Sequence, residues 1–236
     1  MASRKEQKER LRRERQERER QAKEAERRKR LIGYGAGGGL VLAAVVAVAV
    51  VIATGGGGGD SATAEVLPAG GNVPEPQVTD LNSAAKAAGC KLISFPAQSR
   101  DHIQDLNEKV KYKTNPPTAG KHYVQPAADG AYGEAPPDVQ LVHTQEHGRI
   151  VIWFKPTLPK ADRAALKGLF DQDSDKMVLV PRTNMPYPVA ASAWGATPDP
   201  LGTGYVMGCE RFTPKVFDAL RTFRDAHRGK GPEPVP

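Results

Sequence analysis

Cysteine is nearly absent from this chain: two residues in 236, Cys90 and Cys209. That scarcity excludes a CxxC redox pair and the clustered thiolates of a structural zinc site. Net charge is absent from most of the chain. Of 34 basic and 27 acidic residues, 14 and 7 fall within residues 1–30, which leaves 20 of each for the remainder. The surplus of +7 therefore belongs to the first 30 residues. A basic globular domain that binds nucleic acid is excluded, because such a domain carries its excess cations on its own surface. None of the seven serines sits in a GxSxG elbow, which removes that route to nucleophilic catalysis.

Residues 1–30 also lack apolar bulk, since Leu11 is the one large apolar side chain after Met1. Such a segment buries no core. Acid-first pairs at i,i+4 spacing, among them Glu6 with Arg10, Glu9 with Arg13 and Glu24 with Arg28, predict a solvated, highly charged helix. Residues 31–59 contain no charge at all. At about 1.5 Å per residue, a helix over 31–54 is long enough to cross a hydrocarbon core of about 30 Å. Arg27, Arg28, Lys29 and Arg30 abut its start, and no Lys or Arg follows until Lys86. This asymmetry predicts a single-pass anchor in the cell membrane, with a cytoplasmic N-terminus and an extracytoplasmic C-terminal domain. The charged region ahead of the run is long for a cleaved signal peptide, so an uncleaved anchor is expected. Gly33, Gly35 and Gly38 spell GxGxxG, but no strand precedes them and the dinucleotide reading fails. Gly33/Gly37 and Gly35/Gly39 give a GxxxG spacing that allows a homodimer through the membrane helix.

Residues 55–78, rich in Gly, Ala and Pro, read as a tether, and residues 231–236 as a disordered tail. Between them, residues 79–230 make one domain. Thr79 and Asp80 cap a helix over 81–88 that Gly89 stops. Residues 90–95 and 110–113 read as strands. Residues 139–143 and 149–154 read as two strands around the TQEHG connection. Pro159 opens a helix to about Phe170, strands follow at 177–180 and 189–194, and Thr213 with Pro214 starts a final helix ended by Gly229. The expectation is an α+β domain of two layers, a mostly antiparallel sheet with helices on one side. Outside the cytoplasm Cys90 and Cys209 are expected to form a disulfide.

Five histidines remain. His227, at the end of the last helix, suits the helix dipole as a cation. His143, Glu146 and His147 spell HxxEH, the pattern in which two histidines hold zinc and a glutamate activates water. That chemistry needs a helix, and the flanks VQLV and GRIVIWF look like strands. On a hairpin the same side chains still converge with His122, brought in by the rigid Pro116-Pro117 loop. Three imidazoles and Glu146 suit copper or zinc. His102 is a more distant candidate. Asp171, Asp173 and Asp175 lack the glycine and terminal glutamate of a calcium loop.

YKTNPPTAGKH (112–122), GAYGE, VHTQEHGRIVIWF from 142 and ASAWG before a late cysteine together resemble an uncharacterised, mainly actinobacterial family of membrane-anchored domains of unknown function. Its marks are NPPTxGxH, VHxxEHG and AWG. The resemblance spans about residues 90–228. Ala119 and Gln145 depart from the family's usual residues. The resemblance implies no activity, but it singles out His122, His143, Glu146 and His147 for joint testing.

The leading expectation is a non-enzymatic binding module that takes a transition metal, copper or zinc, through His122, His143, His147 and Glu146. One rival is a metal-dependent hydrolase with Glu146 as general base. The other is an envelope interaction or scaffold protein with structural histidines, its protein partner unidentified. The topology has a direct check: a reporter active only in the cytoplasm, fused after Pro236, should be inactive, and activity would overturn the predicted orientation.

Overall fold

The runs IVIWF and MVLVP contain no polar side chain, the pattern of strands covered on both faces. The computed structural model describes residues 66–233. The charged arm 1–30, the apolar run 31–54, residues 55–65 of the tether and residues 234–236 lie outside the described residues. Among the described residues no helix is long and apolar enough to cross a membrane.

In chain order the elements are α1 (Leu81–Ala88), β1 (Cys90–Pro96), β2 (His102–Ile103), β3 (His122–Tyr123), β4 (Gly130–Ala131), α2 (Asp138–Glu146), β5 (Ile150–Phe154), α3 (Lys160–Gln172), β6 (Met177–Pro181), β7 (Val189–Gly195), β8 (Thr203–Cys209) and α4 (Val216–His227). Six strands form a sheet in the order β1-β8-β7-β5-β6-β4. The pairs from β1 through β8 and β7 to β5 are antiparallel, and β5, β6 and β4 run parallel. The fold is α+β, as the sequence predicts.

Alternation along β5 divides the core. Ile150, Ile152 and Phe154 point to the face covered by Leu166, Leu169 and Phe170 of α3, by Val216, Phe217, Leu220 and Phe223 of α4, and by the alanines of α1. Val151 and Trp153 point to the other face, against Leu141 of α2. The two-layer arrangement with helices on one side is therefore corrected: α2 covers the second face. The physical reason is that β5, β6 and β7 are buried along their whole length, so a sheet bare on one side would expose half of their apolar side chains.

Local signals hold where an element is amphipathic. Asp80 accepts from Ser83 N at 2.8 Å, and Gly89 closes α1 in the left-handed conformation at φ 68°. The final helix starts at Val216, just beyond the predicted Thr213-Pro214 cap. Residues 110–113 form a loop rather than a strand. β8 was not expected, because Gly204 and Gly208 interrupt its apolar pattern. Both glycines are forced by neighbours: a Cβ at Gly204 would lie 2.7 Å from the Phe95 ring, and one at Gly208 2.3 Å from the Tyr187 ring.

Both ends of the described chain lie against the domain. The tether is docked from Val66 on, with Val66, Leu67 and Val73 against the core and Gly71 N donating to Ala164 O at 2.6 Å. The tail is held by Glu233 N donating to Glu146 O at 3.1 Å, although nothing in its composition suggests burial. Gly231 makes this approach close, since a Cβ there would sit 2.1 Å from Glu146 O.

The disulfide forms as expected: Cys90 and Cys209 face each other across β1 and β8 with Cα atoms 3.9 Å apart. It ties an edge strand to its neighbour across 119 positions of chain. Replacing both cysteines by serine should cost about 2–4 kcal/mol. Urea unfolding of the oxidised protein beside the double variant measures this, and equal midpoints would show that the crosslink contributes nothing.

Candidate metal centre

The residues 139–143, expected as a strand, belong instead to helix α2. Pro136 and Pro137 remove donors that a strand would need, while Pro137 sits at the N-cap, where a missing N–H costs nothing. Asp138 follows in the first turn, where a carboxylate suits the helix dipole. Arg182 clamps it through Nη1 to Oδ1 at 2.6 Å and Nη2 to Oδ2 at 3.1 Å. Seven of the nine helical residues are buried. With both sides covered, the helix carries no one-sided apolar stripe and its sequence imitates a strand. Its buried polar groups bond to loops and backbone: Thr144 Oγ1 donates to Ala127 O at 2.8 Å, and Gln145 Nε2 to Pro117 O at 3.2 Å.

The second positioning element is a ribbon of two short parallel strands, β2 and β3, whose register sets His102 opposite His122. The Pro116-Pro117 loop leading to His122 is anchored to the sheet by Thr118 Oγ1, which donates to Ala193 O at 2.7 Å. Trp194 walls the site, its ring 5.7 Å from that of His122.

Backbone carbonyls fix two imidazoles. His122 Nδ1 donates to Gly120 O at 2.7 Å, and His143 Nδ1 to Tyr123 O at 2.5 Å. With Nδ1 so engaged, each ring turns its Nε2 toward the neighbouring imidazoles. His122 Nε2 lies 3.2 Å from His102 Nε2 and 3.0 Å from Glu146 Oε2. His143 Nε2 is 4.0 Å from the same oxygen and 3.0 Å from His147 Nε2. One donor atom each from His102, His122, His143 and Glu146 falls within 4.8 Å of all the others. Bonds of about 2.0–2.1 Å from one tetrahedral ion would set such donors roughly 3.3 Å apart. His122, His143 and Glu146 are buried, while His102 is exposed and forms the open side.

Glu146 is the electrostatic pivot. Its side chain is fully buried, and Oε1 accepts from Arg100 Nε at 2.6 Å. Oε2 makes no hydrogen bond, although His122 Nε2 lies 3.0 Å away. Burial opposes ionisation of Glu146, but the neighbouring His122 and the Arg100 guanidinium outweigh it and hold its pKa at about 2. Burial, aided by the neighbouring imidazoles, pushes His143 down to about 4. It also lowers His147.

Of the residues predicted from sequence, His122, His143 and Glu146 come together. His102, expected to be more distant, joins them through the ribbon register. His147 touches His143 but falls in a second group with Glu146 and Glu233. Arg100 and Glu233 carried no sequence signal, being 46 and 87 positions from Glu146 with no motif around them. The expectation for His227 is corrected: it stacks on Tyr205 at 4.3 Å, and burial takes its pKa to about 4, so it is neutral rather than a cation at the helix end.

Residues 102–202 match the model of a family, DUF3105. The family is described as a protein of unknown function. No curated protein and no solved structure matches the chain. The matched segment holds His102, His122, His143, Glu146 and His147, whereas Arg100 and Glu233 lie outside it.

The lowered values of His143 and His227 make stability depend on pH. Unfolded, each ring takes a proton near pH 6.5; folded, only near pH 4. Stability present at neutral pH is therefore lost as pH falls through this window. Urea unfolding of chelator-treated protein should lose on the order of 2–3 kcal/mol through His143 alone between about pH 7 and pH 4.5. A flat profile would contradict the burial of these rings in their neutral form.

Proposed function

We propose that this chain is a single-pass, membrane-anchored extracytoplasmic protein whose domain binds one divalent transition-metal ion, zinc or copper(II), through His102, His122, His143 and Glu146. The observation that carries the metal reading is the convergence of one donor atom each from His102, His122, His143 and Glu146, all within 4.8 Å of one another. A fully buried carboxylate oxygen without a hydrogen bond is costly. A cation among the inward-facing Nε2 atoms removes that cost. The donors are imidazole and carboxylate, with no thiolate or thioether, which favours zinc or copper(II) over copper(I). Gly120 O and Tyr123 O act as the outer partners that fix the tautomer of a metal-ligating histidine. The extracytoplasmic placement draws support from the Cys90–Cys209 disulfide and from the confinement of surplus basic charge to residues 1–30.

The helix that HxxEH requires is present, and this favours a hydrolase as second reading. The state of Glu146 speaks against it. A carboxylate tied to Arg100 with a pKa of about 2 is a weak general base and a good ligand. A scaffold with purely structural histidines gives no reason for His102 and His143 to converge on the same carboxylate as His122.

The test is a calorimetric titration of the full chain, purified in detergent without a polyhistidine tag, with zinc and with copper(II). One saturable ion per chain is expected. His122→Ala and Glu146→Gln should each weaken binding by at least the ~10–100-fold that loss of an outer partner costs. Binding that is absent, or unchanged in both variants, would overturn the reading.

A further inference from the structure

A second donor group shares Glu146 with the first. Glu146, His147 and Glu233 each place a ligand atom within 4.8 Å of the other two. His147 Nε2 lies 3.0 Å from His143 Nε2, so the two groups adjoin. Adjacent donor sets that share a carboxylate are the layout of two-metal sites, whose ions sit roughly 3.5–4 Å apart. Here a side chain already occupies the outer position. Arg100 Nε binds Glu146 Oε1 at 2.6 Å, and Arg100 Nη2 reaches Glu233 Oε2 at 3.4 Å.

We propose that Arg100 stands in for a second cation and so holds the centre to a single ion. The guanidinium supplies the positive charge between the two carboxylates and takes the oxygen with which Glu146 would bridge two metals. Glu146 then offers the inner ion Oε2 alone. Glu233 is brought to this place by its own backbone, through Glu233 N donating to Glu146 O at 3.1 Å. Without the guanidinium, two carboxylates and the His147 imidazole would surround an uncompensated position suited to a second divalent transition metal. Arg100 is thus a specificity-determining residue that touches the ligand rather than the metal. This inference rests on the metal reading of the inner site.

The test is metal stoichiometry. Full-length protein in detergent is equilibrated with zinc and freed of unbound ion, and its zinc content is measured by atomic emission. One ion per chain is expected for the unaltered protein, two for Arg100→Gln, and one for Arg100→Lys, which keeps the charge. Adding Glu233→Gln to Arg100→Gln should return the count to one. Two ions in the unaltered protein, or one in Arg100→Gln, would overturn the proposal. No ion in the unaltered protein would remove the metal reading beneath it. If Arg100→Gln does not fold, as judged by loss of its cooperative thermal transition, Glu233→Gln alone carries the test. Unchanged single-ion stoichiometry and affinity are expected there, and loss of the ion would make Glu233 an inner ligand and overturn the assignment.

Discussion

A carboxylate buried to zero exposure is the constraint around which this domain is built. Glu146 would cost several kcal/mol if left charged and alone in the interior. Three separate stretches of chain respond to it. Arg100, from the segment after β1, neutralises Oε1. The C-terminal segment donates Glu233 N to its main-chain oxygen. The Pro116-Pro117 loop delivers His122 to within 3.0 Å of Oε2 but leaves that oxygen without a hydrogen bond. What remains is a buried carboxylate oxygen with three imidazoles gathered around it.

Rigidity follows from where these side chains are mounted. His143 and Glu146 sit one turn apart on α2, which is clamped at its start by Arg182 and packed on β5. His102 and His122 are set by strand register rather than by side-chain flexibility. The sheet supplies the floor through Trp194, and the apolar packing of α1, α3 and α4 is left to the opposite face. Stability and the candidate site thus occupy different sides of one sheet. The crosslink lies at the far edge, where it secures β1 to β8 without touching the histidines.

Most of the apolar framework was legible in the sequence. The helices α1, α3 and α4 have one apolar face each, and β1, β5, β6 and β7 have the expected runs. The failure at 139–143 has a physical origin: a helix buried on all sides loses its period, and valine and leucine beside histidine then look like a strand. Stronger weight on Pro136-Pro137-Asp138 as a helix start would have restored the helix that HxxEH needs. The unbroken runs IVIWF and MVLVP already implied a sheet covered on both faces. β8 was hidden by glycines that only Phe95 and Tyr187 explain. His122, His143 and Glu146 could be found because motif spacing groups them. The long-range partners could not, because Arg100 and Glu233 acquire meaning only when the tail folds back over the end of α2.

X-ray absorption at the zinc edge of the zinc-loaded full chain tests the central claim most directly. The account predicts three imidazole nitrogens and one carboxylate oxygen at about 2.0–2.1 Å, with the oxygen shell altered in Glu146→Gln. A six-oxygen shell without imidazole scattering would contradict it. So would a nitrogen shell that Glu146→Gln leaves untouched, for the buried carboxylate would then not be a ligand.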